Sequence, residues 1–236
     1  MKKFWNWKKV TNEAGVESRV LELDGTIASE SWFDDDITPK MFKDELFSGS
    51  GPITIWINSP GGDCIAASQI YSMLKDYPDE VTVKIDGIAA SAASVVAMAG
   101  DKVLMAPTAL MMIHNPSMLA FGDHNDMAKA IDILNEVKES IINAYEIKTG
   151  QSRTVLSHLM EDETWMNAKK AIELKFADGF LEDSKVDVPL EAYAFASREF
   201  DKALVNKIAS KTRNEVKVGR NINELKNSLK IVKKFI

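Results

Sequence analysis

Cysteine is almost absent from this sequence: Cys64 is the single cysteine in 236 residues, so an internal disulfide framework is excluded. Long apolar runs are absent too, because no window approaches the roughly 18 consecutive apolar residues that a membrane helix needs. The basic start is not followed by the apolar run of a secretory signal. We therefore expect a soluble protein of a reducing, cytoplasmic compartment with no membrane partner.

The sequence also lacks the motifs of common cofactor sites. It shows no metal-ligand spacing of His, Cys, Asp or Glu, no Gly-rich phosphate loop and no Walker A pattern. We therefore expect no metal, no cofactor and no means of hydrolysing ATP in the chain itself. Its hydrophobic content of 45% and charged content of 27% are typical of a globular protein, and its length suits one large domain or a domain with an appendage.

Charge is divided unequally along the chain. Residues 185–236 contain twelve Lys or Arg and six Asp or Glu, a net charge of +6. Because the whole chain has a net charge of −6, residues 1–184 have a net charge of −12. Opposite charge in a body and a tail indicates two parts with different tasks. Because the basic tail shows no clear aromatic pattern, we do not expect a nucleic-acid partner.

The order of apolar segments predicts an α/β fold with a largely parallel sheet. Strands are predicted at residues 19–24, 53–58, 81–85, 102–106 and 109–114, with a helix at 63–77 and a small-residue helix near 94–100. Helical periodicity then predicts a long helix at 123–148, followed by helices at 154–160 and 167–175 and a last strand near 176–180. The apolar stripe of the long helix fits either core packing or contact with another subunit.

Two serines lie among four alanines in DGIAASAAS, residues 86–94. Such small residues permit close packing, where a hydroxyl is costly unless it is hydrogen-bonded or used. Ser91 and Ser94 are therefore each either a nucleophile or a satisfied buried hydroxyl.

A histidine and a glycine-rich turn complete a candidate site around Ser91. His114 ends the apolar run MMIHNP, whereas His124 and His158 fit solvated helix positions. SPGG, residues 59–62, follows a predicted parallel strand as Ser91 does, so both should lie at one edge of the sheet. A nucleophile, a general base and backbone N–H donors would then converge there.

The acidic cluster EDE before Thr164 offers the third group that a catalytic histidine needs for orientation. It contains Glu161, Asp162 and Glu163. Three acids at a helix end also fit a solvated surface, so both interpretations stay open.

Four motifs, SPGG, GIAASAAS, MMIHNP and DETWMNAKKAIELKFAD, resemble in order and spacing the proteolytic subunit of the Clp protease family. Within that family they are most similar to the Clp-like head maturation proteases of tailed phages. The resemblance covers roughly residues 17–183. It implies a Clp/crotonase-like core of repeated β-β-α units arranged as a superhelix, with a long helix for oligomer contacts. An N-terminal extension (1–16) and a basic helical tail (184–236) would flank it.

The resemblance also implies residue roles. Ser91 matches the family's nucleophile, His114 its general base, and the backbone N–H groups of Gly62 and Ala92 its oxyanion donors. The triad aspartate aligns with Glu163 in preference to the adjacent Asp162. Ser94 becomes a packing serine.

Substrate is expected to lie extended between residues 62–65 and 115–119 and to pair through its backbone. The expected substrate contacts are Gly61, Asp63, Cys64, Ile65, Asn115, Pro116, Ser117 and Met118, with Met111 and Leu119 also near enough to influence sequence preference. Lys175 stands where the family usually ends that helix with glycine; a positive φ at Lys175 would strain the backbone by about 1 kcal/mol.

The implied function is serine endopeptidase chemistry in phage capsid maturation, acting on scaffold or capsid protein in the infected cytoplasm or the procapsid. A homo-oligomeric ring is the expected assembly. The nearest rival function is a housekeeping Clp proteolytic subunit fed by an ATPase partner. The sequence is also compatible with a catalytically inactive assembly protein, a crotonase-like acyl-CoA enzyme, or a peptidase that uses Cys64 as its nucleophile.

Overall fold

The computed structural model describes residues 3–11, 17–27 and 39–181. These residues form the strands β1 (Trp5–Thr11), β2 (Glu17–Asp24), β3 (Ile53–Ser59), β4 (Val81–Ala90), β5 (Lys102–Met105), β6 (Leu110–Ile113), β7 (Thr164–Asn167) and β8 (Gly179–Phe180). They also form the helices α1 (Pro39–Leu46), α2 (Cys64–Lys75), α3 (Ala92–Ala97), α4 (His124–Thr149), α5 (Arg153–Glu161) and α6 (Ala168–Glu173). In this part of the chain no helix is long and apolar enough to span a membrane.

The strands join in one mixed sheet with the order β1-β2-β3-β4-β5-β8, to which β6 and β7 are added through β4. Pairing is parallel from β2 to β8 and antiparallel at β1–β2 and at β6–β7. The α/β fold with a largely parallel sheet is therefore confirmed.

One face of the central strands supplies the core. In β3 buried and half-buried residues alternate strictly, and Ile53, Ile55 and Ile57 are each at most 1% exposed. From α2, Ile70 and Leu74 are buried in the same cluster. Each such side chain contributes about 1.5–3 kcal/mol to folding, which holds α2 against the sheet.

Strand β4 changes partner along its length. Residues 82–85 pair with β5, whereas residues 88–90 pair with β6. A register shift in the β3–β4 ladder lies between the two halves. Because of this change β4 runs five residues beyond the predicted end at 85 and carries the chain directly to residue 91.

The other predicted elements are confirmed to within about two residues at most ends. Three elements are missing from the sequence prediction: β1, α1 and β7. Strand β1 consists of residues from the expected N-terminal extension and pairs with β2, while β7 pairs with β6. The expected tail, residues 184–236, lies outside the described residues.

The long helix α4 is buried mainly over its second half, and Ala130 is the buried residue of its first half. Ile141, Ile142 and Tyr145 are at most 6% exposed, whereas Ile131 and Ile133 are 59% and 53% exposed. Val137 is half-buried against the core, so core packing explains the apolar stripe from residue 137 onward.

We expect Lys175→Gly to stabilise the protein by about 0.5–1 kcal/mol, because Lys175 has φ 62° and left-handed strain exceeds the added entropy of glycine. The shift in the urea unfolding midpoint measures this. Lys169→Gly is the matched control, since Lys169 is an exposed lysine inside α6 and should lose stability instead. A loss of stability in both variants would contradict the strain at Lys175.

Candidate active site

Ser91 occupies a sharp turn between β4 and α3. Its backbone has φ 54° and ψ −125°, a conformation that costs a non-glycine residue about 1–3 kcal/mol. The Ser91 N–H donates to the carbonyl of Met112 at 2.8 Å, which ties the turn to β6. Strand, strained turn and short helix together expose the Ser91 hydroxyl at the carboxyl end of β4.

His114 directly follows β6 and faces this hydroxyl. The His114 Nε2 and the Ser91 Oγ are 2.7 Å apart. When Nε2 carries no proton, the Ser91 hydroxyl can donate to it, which is the geometry that general-base activation needs. Both residues follow strands that pair in parallel, and the structure brings them together at one edge of the sheet.

The glycines of SPGG pack against the Ser91 turn. Gly61 has φ 96°, and a Cβ there would lie 2.6 Å from the Ala90 carbonyl oxygen and 2.8 Å from the Ser91 Cβ. Gly62 has φ 151°, and a Cβ on it would lie 2.1 Å from the Ile27 carbonyl oxygen. Only glycine fits either position, because neighbouring backbone fills the space on both sides.

The N–H groups of Gly62 and Ala92 are available as donors. The bridge between Ile27 and Gly62 uses the Gly61 carbonyl and the Asp63 N–H, not the Gly62 N–H. Ala92 begins α3, so its N–H has no partner within the helix. Among the described residues neither N–H has a recorded acceptor.

The two candidate acids differ in their position relative to His114. Antiparallel pairing of β6 with β7 ends at Ile113 and Thr164. Beyond this pair the ladder stops, because Glu163 has φ 47° and the Asn115 N–H donates to the Met160 carbonyl. Glu163 directly precedes Thr164 in the chain, and Asp162 lies one residue farther away. The Glu163 carboxylate accepts a hydrogen bond from the Trp165 indole N–H at 3.2 Å. No hydrogen bond or ion pair between His114 and either acid is recorded in the described part of the chain.

Glu161 belongs to the surface. It binds Lys138 Nζ at 2.8 Å and the Ser157 hydroxyl at 3.1 Å. These hydrogen bonds, Lys138 first, lower the pKa of the Glu161 carboxyl. The interpretation as a solvated surface therefore holds for this member of the acidic cluster.

Ser94 is a satisfied buried hydroxyl. It is fully buried, donates to the Ser91 carbonyl at 2.6 Å and lies 2.8 Å from the Tyr145 hydroxyl. The two serines of the small-residue run thus have different environments, since only Ser91 faces a histidine.

A cavity of about 90 Å³ lies over the Ser91–His114 pair. Of the expected site residues, it is lined by Gly62, Cys64, Ser91, Ala92, His114, Pro116 and Ser117. Val95, Ile141 and Tyr145 also line it and were not expected. Their sequence signal is only an apolar helix stripe, which does not distinguish cavity lining from core.

The remaining expected substrate contacts do not line this cavity. The Asp63 side chain caps α2 by accepting from the Ala66 N–H at 2.8 Å. Ile65 and Met118 are exposed, 58% and 46%, whereas Met111 is fully buried. The expectation that Met111 influences sequence preference is therefore wrong, because a side chain inside the core cannot contact a substrate.

Asn115 ties the segment after His114 to α5, because its N–H donates to the Met160 carbonyl at 3.2 Å. This hydrogen bond fixes the backbone that leads from the histidine to Pro116. The described residues contain no group of three or more His, Cys, Asp or Glu side chains that could hold a metal ion.

Comparison with known proteins identifies the family. A model of the family described as Clp protease matches residues 6–184. Proteolytic subunit 1 of the ATP-dependent Clp protease of Chlamydia muridarum is 35% identical over 148 residues, 60% of this chain and 76% of the relative. The chain belongs to the Clp protease family.

Further relatives agree with this assignment. The corresponding subunit of Chlamydia abortus is 31% identical over 175 residues, 70% of this chain and 90% of the relative. A solved ClpP1 mutant structure from Listeria monocytogenes has a TM-score of 0.60 and 23% identity, covering 70% of this chain and 92% of that one, which shows the same fold. As a member of the family the chain is a serine-type endopeptidase.

We expect Cys64 to be a poor nucleophile. Burial raises the pKa of its thiol, and the Asp63 carboxylate adds to the shift. The thiolate fraction at neutral pH is therefore below that of a free thiol, and it grows only as the pH rises past the ordinary value of 9.0. Iodoacetamide should label the folded protein at pH 7 more slowly than the unfolded chain, as followed by intact mass. Loss of peptide hydrolysis in Cys64→Ala would contradict this expectation.

Proposed function

We propose that this protein cleaves peptide bonds with Ser91 as the nucleophile and His114 as the general base. The observation that carries the proposal is the 2.7 Å contact between the Ser91 Oγ and the His114 Nε2. The cavity over this pair and the two available backbone donors beside it support the same chemistry.

In the proposed mechanism, the Ser91 Oγ attacks the scissile carbonyl carbon while His114 Nε2 takes the hydroxyl proton. The Gly62 and Ala92 N–H groups donate to the oxyanion that forms. His114 then gives the proton to the leaving amine as the C–N bond breaks. Water then attacks the carbonyl carbon of the acyl-enzyme and loses a proton to His114. His114 returns this proton to the Ser91 Oγ as the ester C–O bond breaks and the acid product leaves.

Substrate binding in this proposal follows the two segments beside the cavity, 62–65 and 115–119. Pro116 and Ser117 line the cavity itself, and the exposed side chains of Ile65 and Met118 offer apolar contacts outside it. When a substrate binds through its backbone, its side chains contribute little to recognition, so we expect a broad sequence preference.

The long helix supports a proposed homo-oligomer. Before residue 141, α4 exposes Ile131 and Ile133, and the preceding segment exposes Leu119 and Phe121 by 84% and 89%. Apolar side chains at this level of exposure fit contact with further copies of the chain, and a closed ring matches the assembly that the sequence resemblance implies.

The proposed setting is the processing of scaffold or capsid proteins during phage head maturation, without an ATPase. The division of charge between residues 1–184 and residues 185–236 supports a specialised body and tail. The second candidate is a housekeeping subunit fed by an ATPase partner. The names of the Chlamydia relatives, proteolytic subunits of ATP-dependent Clp proteases, favour it.

Intact mass of the wild type and Ser91→Ala, each incubated alone and with a candidate scaffold or capsid protein, tests the proposal. We expect cleavage of the substrate or of the tail only in the wild type, with a loss of about 10⁴-fold or more in Ser91→Ala. Ser72→Ala is the matched control, because Ser72 is an exposed α2 serine that bonds the Ser68 carbonyl, and it should cleave normally.

Three results separate the candidates. Cleavage by the wild type without nucleotide supports the maturation setting. Cleavage that requires a Clp ATPase and ATP supports the housekeeping setting. Equal cleavage in the wild type and Ser91→Ala would remove Ser91 from the mechanism.

A comparison of Glu163→Gln with Asp162→Asn tests the third member of the triad. Because Glu163 directly precedes Thr164, which pairs with Ile113 beside His114 in sequence, we expect kcat to fall by about 10²-fold or more in Glu163→Gln. Asp162→Asn should stay within about twofold of the wild type, because Asp162 is the C-cap residue of α5 and lies one residue farther from β7. The reverse order of effects would assign the role to Asp162.

A further inference from the structure

A buried chain of hydrogen bonds joins α4 to the nucleophile turn. The Ser94 Oγ lies 2.6 Å from the Ser91 carbonyl oxygen and 2.8 Å from the Tyr145 hydroxyl. A carbonyl oxygen only accepts, so the single Ser94 hydroxyl proton is used on Ser91. The Tyr145 hydroxyl must therefore be the donor to Ser94. The chain runs in one direction, from Tyr145 through Ser94 to the Ser91 carbonyl.

The end of this chain acts on the peptide unit that contains the Ala92 N–H. The Ser91 carbonyl and the Ala92 N–H belong to one planar trans peptide, so they point in opposite directions. The Ser91 carbonyl accepts from the Ser94 N–H at 2.9 Å as well as from the Ser94 hydroxyl. Two donors thus fix the rotation of the peptide plane and, with it, the direction of the Ala92 N–H.

The same hydrogen bonds also strengthen that N–H as a donor. Hydrogen bonds to an amide carbonyl polarise the whole peptide group, and consecutive bonds in a buried chain reinforce one another. Here Ser94 is fully buried and Tyr145 is 1% exposed, so water does not compete.

Tyr145 is held rigidly and in its neutral form. Its ring packs edge-on against Phe176, with centroids 5.4 Å apart and planes at 68°. Burial raises the pKa of the Tyr145 hydroxyl, so it keeps its proton throughout the neutral range. Its carbonyl accepts from the Thr149 hydroxyl at 2.7 Å, which belongs to the same helix.

We propose that Tyr145 and Ser94 are positioning residues that orient and polarise the Ser91–Ala92 peptide so that the Ala92 N–H binds the oxyanion. This rests on the proposed function, in which that N–H is one of two oxyanion donors. The effect of both side chains is on the transition state and not on substrate binding, because neither hydroxyl needs to touch the substrate.

Kinetics of Tyr145→Phe and Ser94→Ala test the proposal, with a peptide that the wild type cleaves as substrate. Full loss of an oxyanion donor costs about 10²–10³-fold in kcat, and a loosened donor costs less, so we expect about a tenfold fall in kcat for each variant with KM unchanged. The Ki of a peptide trifluoromethyl ketone, whose adduct is an oxyanion, should rise by about the same factor. The Ki of the matching peptide alcohol, which forms no adduct, should stay constant.

The double variant distinguishes positioning from general damage. If Tyr145 acts only through Ser94, adding Tyr145→Phe to Ser94→Ala leaves kcat unchanged, whereas independent effects multiply. Tyr77→Phe is the matched control, because Tyr77 is 7% exposed and its hydroxyl donates to the Gly51 carbonyl at 2.8 Å, away from the site. Its kcat should equal that of the wild type.

Unchanged kcat in the folded single variants, or multiplied effects in the double variant, overturns the inference. So does a change confined to KM. If Tyr145→Phe does not fold, kcat and the ketone Ki of Ser94→Ala decide the question. Ser91→Ala is run beside them: its inactivity upholds the proposed function whatever Tyr145 does, and its full activity overturns both proposals.

Discussion

The parallel pairing of the second half of β4 with β6 is the constraint on which the site depends. Residues 88–90 lie beside residues 110–112, so the residues that follow each strand emerge at one edge of the sheet. Ser91 and His114 are those residues, and the bond from the Ser91 N–H to the Met112 carbonyl extends the ladder into the turn. Among the described residues, this pairing is the contact between strands that brings His114 to Ser91.

Close backbone packing sets the second requirement. Gly61 lies against the Ser91 turn so tightly that a Cβ would meet both the Ala90 carbonyl and the Ser91 side chain. The alanines beside Ser91 serve the same end, since Ala89, Ala92 and Ala93 are at most 2% exposed. Small side chains there let SPGG, the serine turn and α3 share one edge, and the strained φ of Ser91 is maintained by that packing.

Polar groups around Ser91 fall into two environments. On the buried side, Ser94 and Tyr145 are fully satisfied and rigid, where a hydrogen bond is strong and an unpaired group is costly. On the exposed side, Glu163 binds the Trp165 indole, and its own backbone has φ 47°. The Ser91 turn is therefore fixed from the interior, while the Glu163 carboxylate lies at the surface, where water screens its interactions.

Local patterns in the sequence determined much of this protein. Strand alternation, helical periodicity and turn residues act over a few neighbours, so they predicted the main strands, α2 and α4 and placed Ser91, His114 and SPGG at strand ends. Strands β1 and β7 escaped prediction because their stability comes from partners distant in the chain, β2 and β6. The sequence could not predict the hydrogen bond between Tyr145 and Ser94 for the same reason, because the two residues are 51 positions apart in the chain. Tertiary structure alone decided which of two similar serines faces a histidine, because that depends on the direction of each side chain after folding and not on residue type.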